Sequence, residues 1–138
     1  MGTEESRTLM RRITDQVWDH GRIELVDQLI AEDFIDHIDY PGLETTGRQR
    51  YRDSVAMTLR GLPDFKNPLD MVIADGDLAV SCGRITGTHT GELWGLPATG
   101  RRIDYPVIGI LRFRDGQAVE RWGVADSGVL MQQLGLLG

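Results

Sequence analysis

Residues 103–113 read IDYPVIGILRF, and apolar side chains stand at both the odd and the even positions of this run. We predict that the run belongs to a strand over residues 101–113. Because successive side chains of a strand point to opposite faces of a sheet, both faces of this strand need cover. Helices of the same chain can cover one face and enclose a cavity. We expect a second copy of the chain to cover the other face, in a homodimer or a tetramer.

Turn signals on both sides of this strand predict an antiparallel meander. Asp115-Gly116 follows the strand and leads into another strand over residues 118–125. Earlier in the chain, Asp75-Gly76-Asp77 joins an alternating strand over residues 69–73 to a strand over residues 78–90. Four strands are therefore expected to pair in the order of the sequence.

Helical periodicity occupies the first part of the chain. The apolar spacing predicts three helices over residues 5–20, 22–30 and 47–60, and segment 33–40 between them is extended or loop-like. A short final helix follows the last strand. This order of helices, antiparallel meander and final helix predicts an α+β fold in a single domain over residues 1–138.

Composition excludes several classes of function. The net charge of −6 over 138 residues argues against binding to nucleic-acid phosphates. No apolar run approaches the ~20 residues that cross a bilayer, and the polar start lacks a signal core. The single Cys82 excludes an internal disulfide, so the cytoplasm is the simplest location. Neither a zinc-ligand spacing nor a nucleotide-binding motif is present, and we expect no metal and no organic cofactor.

Acid/base chemistry is the reaction type that the remaining titratable residues favour. Glu120, Trp122 and Asp126 share one parity along the last strand, and Asp126 stands where that strand meets the final helix. A carboxylate beside Trp122, at the rim of a cavity, would be partly desolvated, and desolvation would raise its pKa toward that of a useful general base. The alternative is that Asp126 only caps the final helix.

Two histidines are candidate pocket residues. His89 lies among Gly and Thr residues, which leave space around an imidazole as a cavity wall would. The alternative is a strand histidine bonded to a Thr or to the backbone. His37 lies near the predicted cavity mouth. The alternative interpretation is that His37 is a surface histidine held by Asp36 or Asp39. His20 ends a helix, where an imidazolium suits the helix dipole, so we assign it no role in the site.

Several larger side chains are candidate contacts to a ligand. Trp94 lies in a Gly- and Pro-rich loop over residues 91–100 that could close over a ligand. Arg112 could stabilise an oxyanion or an enolate, although a surface arginine facing Asp104 or Glu120 is the simpler interpretation. The tryptophans are more often core residues than ligand platforms. The other candidate substrate-binding residues are Trp18, Tyr40 and Trp122.

Four blocks of residues form a recognisable pattern. The blocks are Gly87-Thr88-His89-Thr90-Gly91-Glu92, Gly95-Leu96-Pro97-Ala98-Thr99-Gly100-Arg101, Arg112-Phe113-Arg114-Asp115-Gly116, and Glu120-x-Trp122 with Asp126. Together they resemble the SnoaL-like polyketide cyclases, over about residues 8–135. The resemblance implies a cone-shaped α+β barrel of the nuclear-transport-factor-2-like type, with three N-terminal helices on a strongly curved sheet around a deep apolar pocket. Characterised cyclases of this type close a ring by an intramolecular aldol reaction without a metal or an organic cofactor.

The resemblance also assigns roles to residues. The acid/base aspartate of the family corresponds to Asp126, and pocket histidines correspond to His37 and His89. Some cyclases carry a further titratable partner where this chain has Ile108–Arg112, which contains no histidine, so that role would pass to Arg112 or His89. The implied function is aldol ring closure in a small apolar or aromatic polyketide-like ligand. A cofactor-free hydroxylase, an epoxide-hydrolase-like enzyme and a non-catalytic binding module are the alternatives.

Overall fold

The computed structural model describes residues 1–137, in which four α-helices pack against one five-stranded sheet. The helices are α1 (Thr3–Arg12), α2 (Val26–Leu29), α3 (Gly47–Gly61) and α4 (Ser127–Gln133). The strands are β1 (Ile30–Asp36), β2 (Leu69–Asp75), β3 (Leu78–Thr88), β4 (Arg102–Arg114) and β5 (Gln117–Ala125). The predicted α+β class is confirmed. None of the described helices combines the length and the apolar character that crossing a membrane requires.

The sheet has the strand order β1-β5-β4-β3-β2. Strands β2 to β5 pair antiparallel in the order of the sequence, as the turn signals predict. Asp115 and Gly116 have positive φ angles of 52° and 78°, which a tight type I′ hairpin turn requires. Strand β1 is an additional edge strand that pairs parallel with β5. The predicted antiparallel meander is therefore confirmed, and the unpredicted strand β1 makes the sheet mixed.

The parallel edge strand arises from a segment without a clear sequence signal. It begins at Ile30, inside the range 22–30 predicted as a helix, and that range contains only a 3₁₀ turn (Ile23–Leu25) before the four residues of α2. Exposed acidic residues interrupt the apolar alternation of the strand. Its register includes the pair Asp36 and Arg121, which lie 85 residues apart in the chain. No local pattern encodes such a pairing.

The first predicted helix, over residues 5–20, is present, but its second half is wider than an α-helix. Helix α1 continues into π-helical turns over Ile13–Asp19, where the Thr14 hydroxyl donates to the Met10 carbonyl at 3.0 Å. Gly21 follows with a φ of 65°, the left-handed conformation in which glycine commonly ends a helix.

The two faces of the sheet differ in burial. Along β4 the odd-numbered residues point to the inner face, which the helices cover, and Ile103, Tyr105 and Phe113 are buried there. On the opposite, outer face, Ile108 is 42% exposed and its neighbour Val124 on β5 is 65% exposed. The helices therefore cover one face, as predicted, and leave the other face open in the single chain.

Two clusters of buried apolar side chains fill the space between the helices and the inner face. The first cluster joins α1, α2 and α3 to the centre of the sheet. The second joins the loop after β3 and helix α4 to β4. Trp18 and Leu59 pack against both clusters.

Candidate functional site

A cavity of about 270 Å³ lies between the helices and the inner face of the sheet. Its walls are mostly apolar and aromatic, and they include Met10, Ile13, Trp18, Phe65, Ile85 and Leu111. These side chains belong to both buried clusters, so the cavity marks the place where the clusters do not close on each other. Its volume is close to the lower end of the ~300–1,000 Å³ that is common for small-molecule sites.

Two glycines make room for the cavity along the strands. Gly109 of β4 and Gly123 of β5 lie directly opposite each other. A Cβ atom on Gly123 would lie 2.7 Å from Cδ1 of Ile38, and one on Gly109 would lie 3.2 Å from Oγ of Ser81. Because neither strand carries a side chain at this point, the segment that contains Ile38 can approach the sheet, and strand backbone forms part of the wall.

Strand β5 contributes to the cavity mainly through its odd-numbered residues. Trp122 is among the lining residues, as expected, but the inner face of the strand carries Arg121 and Gly123. The Trp122 ring lies on the outer face and stacks on His37, with 5.0 Å between ring centroids and an angle of 9° between ring planes. Val124, which shares its parity, is 65% exposed. A shift of one residue exchanges the two faces of a strand, so the parity along β5 decides which side chains point to the inner face.

The inner face of β5 contributes a buried ion pair that the sequence analysis missed. Arg121 donates from Nε to Asp36 Oδ1 at 3.0 Å and from Nη2 to Asp36 Oδ2 at 2.6 Å. Nη2 also lies 3.3 Å from the Ser54 hydroxyl. The side chain of Asp36 is fully buried, and that of Arg121 is 8% exposed. The paired strands β1 and β5 hold the two groups in a side-by-side geometry, which makes this hydrogen-bonded pair strong.

Aromatic rings surround the buried guanidinium. The Arg121 Cζ lies 4.5 Å from the ring centroid of Tyr51, 5.3 Å from that of Tyr40 and 5.7 Å from that of Phe34. Burial by itself lowers the pKa of Arg121, but the nearby Tyr40 and Asp36 outweigh burial and raise the pKa above its ordinary value. The guanidinium therefore keeps its charge inside the protein.

Two buried tyrosines, Tyr51 and Tyr105, line the same cavity. Tyr105 is buried, and burial raises the pKa of its hydroxyl well above the ordinary value. Burial likewise raises the pKa of Tyr51, whose oxygen accepts a hydrogen bond from Trp18 Nε1 at 2.8 Å. Both groups therefore stay protonated at neutral pH and are neutral hydrogen-bond donors.

A second arginine contacts the same carboxylate and holds the cavity mouth. Arg50 Nε lies 3.3 Å from Asp36 Oδ2, and the Arg50 side chain is 14% exposed. Its Nη2 donates to the Ile38 carbonyl at 2.7 Å and its Nη1 to the Leu43 carbonyl at 3.1 Å. Arg50 thus links the buried ion pair to residues 38–43, a segment that includes the lining residues Tyr40 and Pro41.

Four of the predicted substrate-binding residues line this cavity, namely Trp18, Tyr40, Trp94 and Trp122, although the Trp122 ring itself stacks on His37. Trp94 has a positive φ of 50°, a strained conformation for a bulky side chain. Its Nε1 is buried and has no hydrogen-bond partner among the described residues, and the same is true of Asn67 Oδ1 in the cavity wall. A ligand with a carbonyl or hydroxyl group could satisfy such atoms.

Asp126 lies at the end of β5 and is exposed. Its Oδ1 accepts a hydrogen bond from the backbone N–H of Val129 at 3.1 Å, which caps α4. The partial desolvation predicted for this carboxylate is not found. The preceding residue, Ala125, lines the cavity, so Asp126 lies at the margin of the site.

The two candidate histidines lie in different environments. His89 is fully buried, its Nδ1 lies 2.9 Å from the Thr99 hydroxyl, and its Nε2 has no partner among residues 1–137. It is not among the residues that line the cavity. His37 lies on the outer face, with Nε2 2.7 Å from Glu120 Oε2. The structure therefore does not bring His37, His89 and Asp126 together in one site.

Arg112 also lies on the outer face. It donates from Nη1 to the two oxygens of Asp77 at 3.0 and 3.1 Å, and its Nε lies 3.6 Å from Glu120. This is the surface ion-pair arrangement considered as the alternative for Arg112. The guanidinium is 5.9 Å from the Trp122 ring centroid, so it belongs to the cluster around His37 and not to the cavity.

Asp39 is the carboxylate that lines the cavity in the part of the chain that the structure describes. It is exposed, so it lies at the mouth. Across residues 1–137, no group of three or more His, Cys, Asp and Glu side chains has an arrangement that could hold a metal ion.

One sequence signal could have identified the cavity side of β5. Gly123 and Ala125 share the parity of Arg121, and Gly109 faces them from β4. Small side chains leave a cavity open, whereas the large side chains of the other parity fill space. Asp36 has no comparable signal, because its partnership with Arg121 depends on a parallel pairing between distant segments.

Comparison with known families gives one assignment. The family model described as SnoaL-like polyketide cyclase matches residues 8–134, which is nearly the whole chain. A search of curated proteins found no match.

Solved structures of similar proteins cover nearly the whole chain. TsrD from Streptomyces laurentii is 25% identical, with a TM-score of 0.87 over 99% of each chain. A candidate polyketide cyclase from Bacillus cereus is 28% identical, with a TM-score of 0.79 over 97% of this chain and 83% of that one. IdmH from Streptomyces antibioticus, described as a candidate polyketide cyclase, is 25% identical, with a TM-score of 0.80 over 94% of this chain and 98% of its own.

Proposed function

Because the chain belongs to the SnoaL-like polyketide cyclase family, we propose that it closes a ring in a polyketide-like substrate by a cofactor-independent intramolecular aldol reaction. The observation that carries this proposal is the cavity of about 270 Å³, with aromatic walls and the buried cation Arg121. An apolar enclosure can hold an aromatic substrate in a folded conformation. Holding the two reacting carbons together removes much of the entropic barrier to ring closure.

The reaction needs one group that accepts and returns a proton. A carboxylate removes a proton from a C–H that lies between two carbonyl groups, and the electron pair is delocalised onto the carbonyl oxygens as an enolate. The enolate carbon attacks a ketone of the same molecule, which forms the C–C bond and leaves an alkoxide. The carboxylic acid then protonates the alkoxide, so the carboxylate is regenerated.

We propose Asp126 as this carboxylate, with Asp39 as the second candidate. Asp126 follows the lining residue Ala125 and matches the acid/base aspartate implied by the family pattern. Asp39 is supported by its own position in the wall at the mouth. His37 and His89 receive no proton-transfer step, because neither is among the residues that line the cavity.

The test compares three Asp→Asn variants on a two-ring aromatic β-keto ester that carries a pendant ketone. Because the aldol product is an isomer of the substrate, the two are separated by liquid chromatography and quantified by absorbance. Replacement of the true base should reduce turnover by about 10²–10⁴-fold. Asparagine caps a helix as well as aspartate does, so Asp126→Asn should retain the fold. Asp104→Asn is the matched control, because Asp104 pairs with Arg84 at 2.6 Å on the outer face. Full turnover by both Asp126→Asn and Asp39→Asn would rule out this mechanism.

A second candidate function is a non-catalytic binding module. The exposed, helix-capping position of Asp126 favours it. Native mass spectrometry of freshly purified protein would detect a retained aromatic ligand. Oxygen consumption, or incorporation of ¹⁸O from water, would instead indicate hydroxylation or epoxide hydrolysis in the same cavity.

We also propose that the outer face packs against a second copy of the chain. Met71, Cys82, Ile108 and Val124 form a continuous row across strands β2 to β5. Met71 is 47% exposed, Ile108 is 42% exposed and Val124 is 65% exposed. Charged pairs flank this row, among them Arg84 with Asp104. An apolar centre with a charged rim is typical of an interface between subunits.

A further inference from the structure

The cavity contains a cation whose charge and hydrogen-bond donors are not fully used within the protein. We propose that Arg121 binds an anionic oxygen of the ligand, so that the cavity selects aromatic ligands with a carboxylate or an ionised 1,3-dicarbonyl group over their neutral counterparts. The inference rests on the proposed function in one respect, because it takes this cavity to be the ligand site.

The first argument is a count of charges. Asp36 is a single carboxylate between two guanidinium groups, those of Arg121 and Arg50. The three side chains are 0%, 8% and 14% exposed, so one positive charge is left over in a place with little water. The other charged lining residue is Asp39, which is exposed at the mouth, where solvent and salt screen its charge. An anion in the cavity would neutralise the excess.

The second argument is a count of donors. A guanidinium carries five N–H groups in a planar fork. In Arg121 the edge formed by Nε and Nη2 is directed to Asp36, and Nη2 also contacts Ser54. Nη1 has no hydrogen-bond partner among residues 1–137 and points away from Asp36. Because Arg121 lines the cavity, a ligand oxygen there can accept from Nη1.

Neutral donors accompany this cation. The Tyr105 hydroxyl makes no hydrogen bond within residues 1–137, and the Tyr51 oxygen accepts from Trp18 while its own proton has no acceptor there. Both tyrosines line the cavity. Fixed donors that face a site of developing negative charge stabilise an enolate more strongly than water does, because they need no reorganisation.

Rigid support keeps the Arg121 guanidinium in position. The Arg121 side chain is held by the two hydrogen bonds to Asp36 and lies over the Tyr51 ring at 4.5 Å. Arg112, the arginine that the sequence suggested for this role, is 39% exposed and shares two carboxylates, Asp77 and Glu120. Its charge is compensated outside the cavity, which makes it a matched control.

The experiment measures binding, not turnover. Isothermal titration at neutral pH compares 2-naphthoate with methyl 2-naphthoate, which has the same rings without the charge. We expect the carboxylate to bind at least about tenfold more tightly, as a hydrogen bond to a charged group predicts. A second arm uses 2-acetyl-1-tetralone, a neutral 1,3-diketone, whose enolate absorbs at longer wavelength. Binding should raise its ionised fraction at constant pH. An effect in only one arm identifies which anion the site takes.

Variants identify the group responsible. Arg112→Gln should keep the preference for the anion. Arg50→Gln removes the surplus charge and should reduce the preference, and the double variant Arg121→Gln with Asp36→Asn should abolish it. Thermal unfolding checks that each variant folds. If the double variant does not fold, Arg50→Gln alone tests the charge count.

Two results would overturn the inference: no preference for the anion in either arm, or an unchanged preference in Arg50→Gln. Ring closure is not part of the measurement. A protein that prefers the anion but forms no cyclic product would contradict the proposed function and leave this inference standing.

Discussion

The two faces of the sheet use the same residue types for different purposes. Arg121 on the inner face is buried against one carboxylate, Asp36, and next to a cavity. Arg112 on the outer face is 39% exposed and lies near two carboxylates at a charged surface. The two arginines lie on adjacent strands of one sheet, so the direction in which each side chain points decides its role. The comparison shows that the chemistry of a strand residue cannot be assigned before its face is known.

Burial also separates the two faces in energy. An exposed ion pair contributes about 0–1 kcal/mol, because water and salt screen it. Removing one partner of a buried pair leaves an uncompensated charge and costs about 3–5 kcal/mol. Matched variants on the two faces therefore test the comparison directly.

The largest difference is expected between Asp36→Ala and Asp77→Ala. The first leaves the buried Arg121 without its carboxylate and should lower the free energy of unfolding by about 3–5 kcal/mol. The second removes an exposed partner of Arg112 and should lower it by less than about 1 kcal/mol. Urea denaturation measures both. Equal losses would mean that the inner pair is as accessible to water as the outer one.

The next effect concerns association through the outer face. Val124→Asp places a charge in the centre of the apolar row, and the cost of burying it should weaken self-association by about 100-fold or more. Light scattering across a dilution series measures this change. Leu137→Asp is the control, because Leu137 is 57% exposed near the end of the chain and outside the sheet. A monomeric wild-type protein at micromolar concentration would contradict the proposed interface.

A smaller effect distinguishes a tryptophan of the cavity wall from one of the outer face. Trp94→Phe keeps most of the ring but removes the buried N–H that lacks a partner, and it should weaken binding of 2-acetyl-1-tetralone by about two- to tenfold. Trp122→Phe alters the ring contacts with His37 and Arg112 on the outer face and should leave the affinity unchanged. Titration calorimetry compares the two. A larger loss in Trp122→Phe would place the ligand elsewhere.

The smallest effect is expected at an exposed carboxylate in the loop between α3 and β2. Asp64 accepts hydrogen bonds from the backbone N–H and the hydroxyl of Thr88 at 2.7 and 2.8 Å, at the end of β3. The backbone N–H is the main cause that lowers the pKa of Asp64 below its ordinary value of 3.8. A lowered pKa means that the stabilisation is complete above pH 3.8 and is lost as the pH falls through the folded-state value.

Asp64→Asn should therefore lower stability near pH 6 by no more than about 1 kcal/mol, since the group is exposed to solvent. The difference from the wild type should shrink in acid. Thermal unfolding at pH values from 6 to 2 measures the trend, with Asp104→Asn as the control on the outer face. A difference that grows in acid would have the wrong sign for a lowered pKa.

Most of the fold is accessible to local reasoning. The strands β2 to β5, the two hairpin turns, helix α3 and the final helix follow from periodicity and turn residues, because these signals act within a few positions. The parallel strand β1 is the main omission. Its seven residues lack alternation, and their pairing with β5 depends on contacts across the whole chain.

Only part of the candidate site could be predicted from the sequence. Trp18, Tyr40, Trp94 and Trp122 were identified and do line the cavity. Asp36, Tyr51, Tyr105 and Arg121 were missed, and each is a polar or ionisable residue whose importance comes from its partners. A buried aspartate next to an arginine has meaning only after the two segments meet.

Alternation and turns in the amino-acid order specify that β4 and β5 have two unlike faces and that helices precede the sheet. They do not specify which parity points to the helices, because an alternating pattern is the same when it is turned over. That choice follows from the packing of α1 and α3 and from the parallel pairing of β1, which together bury Arg121 with Asp36 and leave Trp122 outside. Long-range packing thus selects the face, and the face selects the residues that can act on a ligand.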